Sequence, residues 1–81
     1  MIARVNSYNV KKGQAVTLAK ELPADHNFGN RYTIKEDSKG YVSSDGFVVG
    51  RLKVEFWTYA SGKQIVEFNI ESAANHLTTD Y

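Results

Sequence analysis

The stretch from Arg51 to Glu71 holds two runs that alternate apolar with polar residues, with cations and aromatic rings interspersed in a pattern suited to binding. Strand side chains point to opposite faces in turn, so Arg51, Lys53, Glu55 and Trp57 share a face. Tyr59, Lys63, Ile65 and Glu67 join them if the stretch folds back on itself as a hairpin. Trp57, Tyr59 and Ile65 would then form an apolar centre within a rim of mixed charge. Interface centres favour Trp, Tyr and Arg, and rims of both signs add selectivity. The set Arg51, Lys53, Glu55, Trp57, Tyr59, Lys63, Ile65 and Glu67 is therefore the expected partner-binding surface, with another protein as the expected partner. An apolar patch on so small a protein also makes a homodimer an expectation, through this face or a free strand edge.

Single-stranded nucleic acid ranks second. Rings that stack on bases among cations that meet phosphates are what such binders use. Glu55, Glu67 and Glu71 argue against it, because carboxylates repel phosphate. Lys39-Gly40-Tyr41 opens like an RNA-binding signature, but Val42-Ser43-Ser44 breaks it.

Catalytic chemistry finds little footing. The chain has no cysteine and no nucleophile elbow, zinc-protease helix or phosphate-binding glycine loop. His26 beside Asp25, and His76 near Asp80, lack partners at metal-ligand spacing and read as polar residues of a loop and a tail. No enzyme activity, cofactor or metal is expected. A small regulator or inhibitor of the kind encoded by phages and mobile elements fits the size and style.

The hairpin itself is predicted from alternation and turn chemistry. Gly62 suits the left-handed position of a three-residue loop, Ala60-Ser61-Gly62. That loop sets Phe56 against Val66, Val54 against Phe68 and Leu52 against Ile70 on the inner face. On the outer face it sets Trp57 against Ile65, Arg51 against Glu71 and Glu55 against Glu67. A two-residue loop would pair Phe56 with Glu67 and is rejected.

Elsewhere, residues 1–10 predict a strand with Ile2, Val5, Tyr8 and Val10 as its apolar content. Ala15, Leu18, Ala19 and Leu22 recur at helical spacing before Pro23, which predicts a helix over Gln14–Leu22. The competing reading makes this stretch a strand. Residues 23–30 read as loop and 31–36 as strand. A turn at 37–40 has Gly40 in the left-handed position, 41–43 is a short strand, and Gly50 marks a bulge. Ser72 can cap one helical turn over residues 73–77, and 78–81 is expected to be a mobile tail.

Eighty-one residues allow one domain, residues 1–81. The fold class expected is α+β, one short helix on an antiparallel sheet of four or five strands, with a small all-β barrel as the alternative. The predicted core is Val5, Leu18, Leu22, Ile34, Val48, Leu52, Val54, Phe56, Val66, Phe68 and Ile70. The absence of cysteine favours an intracellular, cytoplasmic home, and no apolar run is long enough to span a bilayer. Net charge is +1, yet residues 1–35 hold Arg4, Lys11, Lys12, Lys20, Arg31 and Lys35 against Glu21 and Asp25. Residues 64–81 carry only acidic charge besides His76.

Overall fold

A computed structural model describes residues 1–59 and 62–80. The described chain forms one six-stranded antiparallel sheet and one short helix, broadly α+β. Its elements are β1 (Ile2–Arg4), β2 (Ala15–Leu18), β3 (Lys39–Val42), β4 (Arg51–Thr58), β5 (Gly62–Asn69), α1 (Ile70–His76) and β6 (Leu77–Asp80). The sheet order is β1-β6-β2-β3-β4-β5, so a meander from β2 to β5 is extended on its first side by β6 and β1. Helix α1 joins β5 to β6 and packs on β1, β4, β5 and β6. The sheet therefore curls until one short helix touches both of its edge strands.

Alternation builds the core. Leu52, Val54 and Phe56 on β4, with Val66 and Phe68 on β5, are fully buried on the concave face. Val5, Leu18, Leu22 and Ile34 join them as predicted. Val16, Val42, Ala73 and Leu77 complete the cluster, whereas Val48 and Ile70, both expected inside, are about half exposed. Gly40 is not left-handed. It sits in β3 against the Phe56 ring, where a Cβ would lie 2.8 Å from Phe56 Cε1 and Val54 Cγ1. Asp37 takes the positive φ of that turn instead, at +70°.

Several expected elements differ. Residues 15–18 are strand, as the competing reading had it. Val16 and Leu18 point inward while Ala15 and Ala19 are exposed, a period of two that the match at 15, 18, 19 and 22 concealed. The helix lies near the end of the chain instead. Asn69 is its N-cap, accepting from the Ser72 N–H (2.8 Å), and Ser72 Oγ accepts from the Asn69 N–H (3.0 Å). This reciprocal box makes Ser72 the third helical residue rather than the cap. The expected tail supplies β6, which pairs with β1 on one side and β2 on the other; Tyr81 lies outside the described residues. Residues 31–36 are not a strand, and only Ile34 bridges, to Leu22. Strand β1 stops at Arg4, and Tyr8 is exposed.

The register of β4 on β5 differs by two residues from the predicted one. Phe56 faces Gln64, Val54 faces Val66, Leu52 faces Phe68, and Arg51 faces Asn69. A slip of two preserves every side chain's face, so the inner and outer sets stand while their partners change. Gly62 is left-handed (φ +70°) as expected but pairs with Thr58; Ala60 and Ser61 of the predicted loop lie outside the described residues.

Gly50 forms a turn instead of a bulge. Val48 and Arg51 exchange backbone hydrogen bonds (2.9 and 3.0 Å) around Val49 and Gly50, whose φ values are +52° and +74°. Two consecutive positive φ values are the requirement of a type I′ turn, which favours Asn-Gly and strains a β-branched residue. Val49 is 97% exposed, so no packing offsets that strain.

Two stability outcomes follow. Phe56→Ala should cost about 3–5 kcal/mol in urea denaturation, because its ring is fully buried between β3 and β5. A midpoint near the parent's would contradict the assigned core. Val49→Asn should stabilise the fold by about 1 kcal/mol by relieving the left-handed β-branched residue. A loss of stability would show that the turn is not of this type.

Candidate functional site

The outward face of β4 and β5 carries Arg51, Lys53, Glu55, Trp57, Lys63, Ile65 and Glu67 of the predicted partner surface, and Tyr59 follows β4 in the turn. Tyr41, Glu55 and Ile65 lie side by side across β3, β4 and β5. Lys53 faces Glu67 and Trp57 faces Lys63. The last β3–β4 pair is Gly40–Phe56, and continuing that register by one step would bring Lys39, at the start of β3, opposite Trp57. The single tryptophan therefore sits on a central strand with a lysine on each neighbour. The sequence-based register had set Trp57 against Ile65 and Glu55 against Glu67; neither pairing exists.

Charge on this face is sorted along the strands. At the far end, Glu67 lies 3.8 Å from Arg51 and 3.9 Å from Lys53, between two cations. Exposed pairs at such distances contribute little stability, but they compensate the carboxylate locally. Glu71 does not face Arg51; it belongs to the first turn of α1. At the hairpin end, Arg31, Lys35, Lys39 and Lys63 form no ion pair among the described residues. Trp57 there is 66% exposed, Tyr59 fully so, and Ile65 about two-fifths. Glu55 is the half-buried carboxylate between the two ends.

A segment that sequence reasoning treated as loop and strand completes this end. Residues 19–38 leave β2 and are pinned by reciprocal Leu22–Ile34 backbone bonds (2.9 Å each). Phe28 packs its ring against Phe68 and His76, with centroids 5.6 Å from each. The chain then runs beside the outer edge of β5. Glu67 N–H donates to the Phe28 carbonyl (2.9 Å), and Gly29 lies close enough that a Cβ would stand 3.3 Å from the Ile65 carbonyl oxygen. Edge strands need such cover, since their open N–H and C=O groups invite pairing with other chains.

Gln64 makes the attachment specific. It is the polar member of the inward face of β5 and is almost fully buried. Its Oε1 accepts from the Arg31 N–H (2.7 Å) and the Tyr32 N–H (3.1 Å), and its Nε2 donates to the Tyr32 carbonyl (3.4 Å). Asn30 Nδ2 donates to the same carbonyl (3.2 Å). Tyr32, whose side chain is half exposed, is thereby held against the hairpin end. Tyr32, Lys35, Ser38, Trp57 and Tyr59 line a groove of about 460 Å³. Neither Tyr32 nor Lys35 was singled out as a site residue. The signal that could have found them is Gln64, a polar residue in an apolar alternation that demands partners from elsewhere.

His26 is exposed in the long loop, and His76 is half-buried in the Phe28–Phe68 cluster. Among the described residues no three His, Asp or Glu side chains gather as a metal site, and no helix is long and apolar enough to cross a membrane. No protein-family model, curated protein or solved structure matches the chain.

Gln64→Met keeps the size of the side chain and removes its amide. Two part-buried N–H groups would lose their acceptor, a loss of about 1 kcal/mol. Amide exchange should rise first at Arg31 and Tyr32. Unchanged exchange there would mean the segment is held by other contacts.

Proposed function

We propose that this protein is a non-enzymatic binding module that takes single-stranded nucleic acid on the hairpin end of its outward face. The observation that carries the reading is the exposed indole of Trp57 facing Lys63 on β5, with Lys39 on its other neighbour one position beyond the Gly40–Phe56 pair. Unpaired bases offer flat faces to stack on Trp57 and Tyr59, while their phosphates meet lysines that have no carboxylate partner among the described residues. The objection from the sequence was a face crowded with glutamates. With Glu71 in α1 and Glu67 between Arg51 and Lys53, Glu55 is left as the main source of repulsion.

Another protein, bound in the manner of a small inhibitor or regulator, is the second reading. One observation favours it: the Val48–Val49 tip, which presents exposed aliphatic side chains beside Arg51 and Lys53. Nucleic acid has little use for such a knob, whereas an apolar pocket on a partner, or on a second copy of this chain, would bury it.

Trp57 fluorescence during titration with a short oligothymidine tests the first reading. Quenching is expected at low salt, with affinity falling steeply as salt rises. Replacing both Lys39 and Lys63 by Gln should flatten the log–log salt slope by about 1.4, which is about 0.7 for each phosphate no longer neutralised. No binding at low salt would reject nucleic acid and leave protein recognition.

A further inference from the structure

We infer that the groove between residues 31–38 and the end of β4 is a slot for one unpaired nucleobase, with Tyr32 as its second wall and Gln64 as the residue that positions Tyr32. The inference rests on the nucleic-acid reading and narrows it from a face to a pocket.

Two aromatic walls stand on backbones that are independently fixed. Trp57 belongs to β4, which is paired on both sides by β3 and β5. Tyr32 has its N–H bonded to Gln64 and its carbonyl bonded to both Gln64 and Asn30. Among the described residues neither ring stacks on another aromatic, so both keep a face available. Walls fixed before the ligand arrives spare the ordering cost that a mobile side chain would incur on binding.

The polar groups of the slot match a nucleotide. Lys35 lies in the lining, and Lys39 and Lys63 flank Trp57, close to where a phosphate of the stacked nucleotide would run. Among the described residues no carboxylate lines the groove. The hydroxyls of Thr33 and Ser38, also in the lining, can donate to or accept from a base edge. Duplex DNA keeps its base faces stacked inside, so the slot selects single strands. An acidic peptide bearing an aromatic side chain would meet the same rings and cations, and it serves as the competing ligand in the test.

Trp57 is the sole tryptophan, so its fluorescence reports occupancy of the slot directly. Oligothymidine would be titrated into the parent, Tyr32→Ala, Tyr32→Phe, Gln64→Met and the Tyr32→Ala/Gln64→Met double variant. A matching duplex and an acidic, phenylalanine-containing peptide would be titrated into the parent. Tyr32→Ala should weaken oligothymidine binding about tenfold or more, as loss of a base–aromatic stack does, and Tyr32→Phe should stay near the parent. Thermal midpoints check that each variant is folded. Gln64→Met should lower affinity several-fold in the parent background and scarcely at all once Tyr32 is Ala, because it acts through that ring. Tight oligothymidine binding that ignores Tyr32→Ala would overturn the slot and leave the broader nucleic-acid reading standing. Equal losses from Gln64→Met in both backgrounds would overturn its positioning role. Quenching by the peptide and not by oligothymidine would overturn both the slot and the reading beneath it.

Discussion

The buried amide of Gln64 is the constraint on which the hairpin end of this molecule depends. It sits in a strand whose other inward residues are Val66 and Phe68, facing the Phe56 ring across the sheet. An amide in that position is costly unless its oxygen and nitrogen find partners. The Arg31 and Tyr32 backbone supplies them, which ties the long β2–β3 connection to the edge of β5. Together with the Phe28 packing and the Glu67–Phe28 hydrogen bond, this tie covers the sheet edge, and it fixes the Tyr32 backbone beside the groove at the hairpin end. The same contacts make sense of the register. With Gln64 opposite Phe56, every apolar inward residue of the hairpin still faces the core, and Gln64 lies where the loop can reach it.

Faces were legible in the sequence and partners were not. Alternation from Arg51 to Glu71 identifies which side chains point inward, and Leu52, Val54, Phe56, Val66 and Phe68 are all buried. A slip of two residues leaves that pattern unchanged, so hydrophobic matching alone cannot choose between the two registers. Pairing apolar residues with one another favoured the wrong one, because it gave Gln64 no weight as an inward residue with distant partners. The same limit explains the helix. Ala15, Leu18, Ala19 and Leu22 fit a helical face, yet Val16 and Leu18 alternating with Ala15 and Thr17 fit a strand equally well over so short a stretch. Tertiary pairing with β3 and β6 decided it. The chain end is strand for a similar reason: Leu77 and Thr79 are buried by neighbours far away in sequence.

The candidate site shows the same division. Its cations and rings were identified individually, but the sorting of charge along the face came only with the true neighbours. Glu67 beside Lys53 and Trp57 beside Lys63 turn a mixed surface into one compensated end and one cationic aromatic end. Val49 adds a local conflict of another kind. A β-branched residue in a left-handed turn, fully exposed, satisfies neither backbone preference nor burial. Departures of this sort concentrate where proteins contact ligands or partners. The two ends of the outward face thus carry different features, stacking surface at one and an apolar knob at the other.

The register of β4 on β5 underlies all of this, and it can be read directly in solution. Lys53 and Glu67 direct their backbone hydrogen bonds away from each other, toward Ser43 and Phe28, so the pairs in their phase are non-hydrogen-bonded. Facing α-carbons approach most closely at such positions. Two-dimensional proton NMR should therefore give strong Hα–Hα cross-peaks between Glu55 and Ile65 and between Trp57 and Lys63. Cross-peaks between Trp57 and Ile65, and between Glu55 and Glu67, would contradict this register and dissolve the lysine-flanked tryptophan on which the proposed function rests.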